Sequence, residues 1–145
     1  MRALVQRVER AKVTVDGDIA GEIGPGLCVL IGVTTDDTGE KARRMAAKLW
    51  KLRIFDDVEG KMNLSVADVG GELLVVSQFT LYGDATRGNR PSYIEAARPD
   101  QAEPLIEEVV GQLIEFGAKV QSGRFRTAMK VELVNDGPVT IALEL

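Results

Sequence analysis

A chain of 145 residues, 45% hydrophobic and 28% charged, has the make-up of one soluble globular domain spanning residues 1–145, with no composition shift to mark a second. Its net charge of −4 argues against broad coating of nucleic acid, and DNA is not an expected partner. With no histidine and a single cysteine, the chain has no Ser-His or Cys-His pair, no imidazole base and no His-bound zinc, which excludes most common hydrolase mechanisms.

The N-terminus, Met1 to Arg7, carries charges where an export signal needs an apolar core, so a cytoplasmic protein is expected. Val13 and Val15 alternate with Lys12, Thr14 and Asp16, and Asp16-Gly17 is a preferred tight-hairpin pair before Ile19 to Ile23. After Gly24-Pro25-Gly26, Leu27 to Val33 is an unbroken apolar run, too short to cross a bilayer and suited to a central strand covered on both faces. Cys28 lies inside that run and reads as a buried hydrophobe.

From Thr38 onward, Ala42, Met45, Ala46, Leu49 and Trp50 form the stripe of an amphipathic helix, whose outer face carries Lys41, Arg43, Arg44, Lys48 and Lys51 as a solvated surface. Leu73 to Val76 is a second buried strand, running directly into Ser77-Gln78-Phe79-Thr80. A loop rich in Gly, Arg and Pro follows, from Tyr82 to Pro91. A second helix is expected with Asp100 and Glu103 as a capping pair, Pro104 in its first turn and Gly117 at its end. Two or three strands close the chain, and Asn135-Asp136-Gly137-Pro138 reads as a special turn between the last two, because proline has no N–H for a ladder.

Ser77, Gln78 and Thr80 cluster where a buried strand ends, a frequent place for ligand sites. Such groups orient a substrate beside backbone amides that receive developing negative charge, or they only satisfy the sheet's last backbone groups. No base stands ready to activate Ser77 or Thr80, so a protein nucleophile is not expected. No ligand cluster suggests a metal and nothing calls for a cofactor.

Ser77-Gln78-Phe79-Thr80-Leu81-Tyr82 together with Asn135-Asp136-Gly137-Pro138-Val139-Thr140 resembles the two signature motifs of the D-aminoacyl-tRNA deacylases. The resemblance extends over essentially the whole chain and implies a mixed α/β fold of largely antiparallel, barrel-like sheets with two main helices. It also implies hydrolysis of D-amino acids, and of glycine mischarged on alanine tRNA, from the tRNA acceptor end, in a cytoplasmic homodimer without a cofactor. In this picture Ser77, Gln78, the Phe79 amide and Thr80 form the reaction site, and the substrate's own 2′-hydroxyl assists the chemistry. A cis Gly137-Pro138 segment from the partner screens chirality through its main chain. Phe125 and Met129 resemble the family's pocket residues, although each also suits ordinary core packing. Arg126-Thr127 departs from the family, which usually has a small residue, often glycine, after Phe125. Arg87, Arg90, Arg98, Arg124, Arg126 and Lys130 are candidates for a basic rim. Two other functions fit the same residues: an RNA-end binding module without catalysis, and a dimerisation domain in which Gly137-Pro138 adjoins no cavity.

Overall fold

The computed structural model describes residues 1–145. A long first strand, β1 (Arg2–Val15), turns at Asp16-Gly17 into β2 (Asp18–Ile23). Both turn residues have positive φ, 50° and 85°, the geometry that the Asp-Gly pair favours in a two-residue hairpin. Then come β3 (Gly26–Gly32), α1 (Gly39–Lys51), the small hairpin β4 (Arg53–Asp56) and β5 (Met62–Ser65), and β6 (Glu72–Ser77). A 3-10 turn (Phe79–Tyr82), α2 (Pro99–Glu115), β7 (Lys119–Ser122) and β8 (Lys130–Glu144) complete the chain.

The main sheet has six strands in the order β2-β1-β3-β6-β7, with β8 on the other edge of β1. Most pairs are antiparallel, but β3–β6 and β6–β7 are parallel, which α1 and α2 make possible as crossovers. The two ends of the path, β2 and β7, nearly meet. A Cβ on Gly21 of β2 would stand 2.8 Å from the Ser122 carbonyl of β7, so only glycine lets the barrel-like sheet curl this far.

β3 and β6 are buried on both faces, as expected of central strands. One face packs Leu27, Val29, Ile31, Leu73 and Val75 against Met45, Leu49, Val109 and Leu113 of the helices. The other turns Cys28, Leu74 and Val76 toward Val8, Val13 and Ile23 in the barrel interior. Thr38 caps α1, accepting from the Lys41 amide.

The start of α2 differs from expectation. Pro99 takes the first helical position and no side chain caps the end, so Asp100 and Glu103 are not a capping pair and Pro104 lies inside the helix. The other end is as expected: Gly117 at φ 94° donates to Ile114 and Ala118 to Leu113, a Schellman closure.

The last two expected strands are one. β8 runs antiparallel to β1 from Arg2↔Glu144 to Thr14↔Lys130, and no hairpin turn divides it. Between the pairs Gln6↔Thr140 and Val8↔Asn135, the single residue Arg7 stands opposite Asp136, Gly137, Pro138 and Val139, a wide bulge. The Gly137–Pro138 bond within it is cis. Proline is tolerated here because the bulge has left the ladder.

Candidate active site

β6 delivers its last residues to the mouth of a cavity. The Gln78 amide still donates to Ile31 of β3 (2.7 Å), after which the chain leaves the sheet and winds into the 3-10 turn. The Gln78 side-chain amide donates to the Thr80 hydroxyl, and Leu81 and Gly83 donate back to Gln78 and Thr80. The leading amides of such a turn have no acceptor inside it, which leaves N–H groups free for a ligand. Below it, the buried ring of Tyr82 anchors the turn: the Arg2 guanidinium lies 4.5 Å from the ring centroid and donates to the Leu81 carbonyl (3.0 Å). Burial pushes the Tyr82 phenol up to about 12, so it stays protonated.

The cavity has a volume of about 680 Å³ and a mostly apolar lining. Ser77, Gln78 and Phe79 line it at one side, and Phe125, Arg126, Thr127 and Met129 from the β7–β8 connection line it at another. Thr80 does not line it, consistent with a supporting position in the turn. Sequence reasoning missed the third wall, made of Tyr93 and Ala96 before α2 and of Pro99, Ala102 and Ile106 on it. That wall is clipped to the end of β3 by Thr34, whose hydroxyl donates to the Glu95 carbonyl (2.6 Å), and by the Ala97 amide on Val33 (2.9 Å). Tyr93 meets Phe79 edge-on, with ring centroids 5.1 Å apart, and both rings stay partly in solvent at the rim. A partly exposed tyrosine in a polar loop was the one available signal for this wall.

Gly123 fits because Met129 passes over it: a Cβ there would stand 2.7 Å from the Met129 sulfur. Of the six basic residues suggested as a rim, only Arg126 lines the cavity.

Gly137 and Pro138 are exposed and do not line the cavity of their own chain. Their bulge is tied down by Arg7, itself buried. Its Nε donates to the Asp136 carbonyl (3.3 Å) and pairs with the Asp136 carboxylate (3.2 Å), while Nη1 donates to the Ile54 carbonyl (2.8 Å). Inside the bulge, the Asn135 side chain donates to the Val139 carbonyl and the Thr140 hydroxyl. The dipeptide is thus held rigidly and presented outward. No group of three or more Cys, Asp or Glu side chains is placed to hold a metal ion.

Comparison with known proteins matches this architecture throughout. The sequence profile described as D-Tyr-tRNA(Tyr) deacylase matches residues 4–144. The chain belongs to that family. A D-aminoacyl-tRNA deacylase of Anaeromyxobacter dehalogenans (strain 2CP-C) is 60% identical over 144 residues, covering 99% of this chain and 97% of its own. One from Deinococcus radiodurans is 56% identical over the full length of both chains. A solved structure called c-Myc DNA Unwinding Element Binding Protein superposes with a TM-score of 0.94 at 42% identity, covering 100% of this chain and 99% of that one. A probable eukaryotic D-amino acid tRNA deacylase shares the fold, with a TM-score of 0.87 at 16% identity over 99% of this chain and 98% of its own. The fold is the family's mixed α/β, nearly closed barrel, and the chain is a deacylase, a hydrolase that acts on aminoacyl-tRNA.

Proposed function

We propose that this deacylase works as a homodimer in which each cavity is completed by the Gly137-Pro138 segment of the other subunit. The observation that carries the reading is the separation within one chain: a rigid, outward-facing dipeptide without a cavity of its own, and an open cavity beside Ser77-Gln78-Phe79. Each lacks what the other supplies. A dimerisation domain in which Gly137-Pro138 adjoins no cavity gives the open cavity of about 680 Å³ beside Ser77-Gln78-Phe79 no role, whereas the cross-subunit reading uses both.

In this reading the terminal adenosine and its ester sit along Ser77 and Gln78, with the Phe79 amide receiving the carbonyl oxygen as it becomes an oxyanion. The chemistry asks little more of the protein, because an ester is already activated and the 2′-hydroxyl of the terminal adenosine assists the attack. Chirality is screened by main-chain atoms of the partner's Gly137-Pro138. An L-side chain collides with them, whereas a D-side chain points past them to solvent. A backbone screen ignores the identity of a D-side chain, and it cannot stop glycine, so glycine mischarged on alanine tRNA is a substrate as well. Phe125 and Met129 shape the cavity wall that faces the substrate. No cofactor takes part, and the reaction belongs to the compartment where tRNA is charged, the cytoplasm.

The test is release of amino acid from D-Tyr-tRNA, L-Tyr-tRNA and Gly-tRNA(Ala), with the mass of the protein in solution measured alongside. Rapid cleavage of the first and third, none of the second, and a dimer are expected. Equal rates on D and L, or a fully active monomer, would refute the cross-subunit filter. Binding of uncharged acceptor RNA without hydrolysis would instead support an RNA-end binding module.

A further inference from the structure

The turn between β7 and β8 places one residue in an unusual state. Arg126 has φ 56°, in the left-handed region, at the third position of a turn where glycine or asparagine is the normal choice. The Thr127 hydroxyl closes the turn by donating to the Arg124 carbonyl (2.8 Å). A bulky residue held there is unfavourable relative to glycine, and persists where its side chain has a use.

The side chain lies at a telling place. Arg126 is the only charged residue lining the cavity, it is exposed, and no carboxylate pairs with it. Arg7 and Arg43, by contrast, are engaged by acidic partners. An unpaired guanidinium at the rim of an apolar cavity is a fork awaiting an anion. The aminoacyl group cannot supply one, since its α-ammonium is cationic and would be repelled. The nucleotide side can: the phosphodiester that joins the terminal adenosine to the preceding nucleotide is the nearest anion to the ester, whatever the amino acid.

We propose that Arg126 binds this terminal phosphodiester and so positions the acceptor end, acting as a positioning residue through affinity rather than through the chemical step. The assignment rests on the site reading given above, with the ester at Ser77 to Phe79. Because the guanidinium stays in solvent, its contribution is uniform across amino acids and weakens with salt.

Two small substrates separate the possibilities: D-tyrosyl adenosine, which has no phosphodiester, and D-tyrosyl cytidylyl-adenosine, which has one. Asparagine tolerates the left-handed region, so Arg126→Asn removes the charge without straining the turn. It is expected to raise KM roughly tenfold on the dinucleotide and on D-Tyr-tRNA, to leave kcat unchanged, and to make the logarithmic salt slope on tRNA shallower by about 0.7. On D-tyrosyl adenosine it should change nothing. Arg126→Lys should keep most of the affinity. Arg126→Gly should share the KM defect while melting a few degrees higher, because it relieves the backbone.

Equal losses on both small substrates, a loss in kcat, or no loss at all would overturn the assignment. So would a loss confined to acidic D-amino acids. Phe79→Pro, run alongside, distinguishes a failure of the underlying site: if it leaves kcat intact on every substrate, the ester does not sit there and the Arg126 assignment falls with it. If it abolishes turnover while Arg126→Asn changes nothing, only the phosphate contact is wrong.

Discussion

Replacing Arg7 by methionine asks whether a single buried cation organises the bulge that carries Gly137-Pro138. Methionine keeps most of the apolar stem but loses every donor. The buried Ile54 carbonyl is then left without its charged partner, a cost of about 1–3 kcal/mol. The ion pairs with Asp56 and Asp136 contribute less, since those carboxylates are 51% and 49% exposed and rehydrate on release, at no more than about 1 kcal/mol each. The net loss is about 2–4 kcal/mol, which at about 3 °C per kcal/mol for a chain of this size lowers the melting temperature by roughly 6–12 °C. Thermal unfolding measures that part. Initial rates on D-Tyr-tRNA and L-Tyr-tRNA, taken well below the transition, measure the other: freeing the Asp136 carbonyl loosens the screen, so the ratio of D to L rates should fall even while the protein is folded. Arg7→Lys should recover part of the stability and little of the selectivity, because one ammonium cannot reach both carbonyls. A methionine variant with the parent's melting point and the parent's discrimination would refute the reasoning.

Phe79→Pro removes the amide assigned to the oxyanion at the first position of a helical turn, where proline fits; single-turnover rates should drop by about 10²-fold or more with the fold retained on circular dichroism. Thr80→Ala should keep much of its activity in the same assay, since Thr80 lies outside the cavity lining, and total loss in a folded variant would favour a hydroxyl nucleophile. Gly26→Ala would drive a Cβ into the Glu72 backbone across the parallel β3–β6 pair, where neither strand can yield, and should cost about 3 kcal/mol or more in urea unfolding. Burial pushes the Cys28 thiol from its ordinary 9.0 up to about 11, so stability that is intact below pH 9 is lost as pH rises to 11; Cys28→Ala should flatten that part of an unfolding-against-pH curve.

Where local chemistry and the fold agree, the sequence was readable. Asp16-Gly17 makes its hairpin, Leu27 to Val33 supplies the central strand, and the α1 stripe begins at Thr38, because periodicity and turn preference need no distant partner. The unity of β8 was not readable: Asn135 to Pro138 has the composition of a turn, and only pairing with β1 on both sides of it keeps the strand continuous. The cap of α2 was misplaced by two residues, since the helix starts at Pro99 after Arg98, which puts Asp100 in its first turn rather than at its cap. The signature residues marked one side of the cavity. Its third wall stayed hidden because Ala102 and Ile106 sit on a helix face whose apolar pattern looks the same whether it meets a core or a cavity.

The double engagement of β1 has a consequence for how the molecule is made. β1 pairs along one edge with β2 and β3 and along the other with β8, where Arg2 meets Glu144. Contacts between segments far apart in sequence carry the larger loop-closure cost and slow folding. A nascent chain on the ribosome can therefore assemble the hairpin and the helical layer early, yet holds an open, unpaired edge along β1 until β8 emerges. β8 carries the bulge with Gly137-Pro138, and the connection that leads into it supplies Phe125, Arg126, Thr127 and Met129 to the cavity wall, so both features depend on this one pairing with β1.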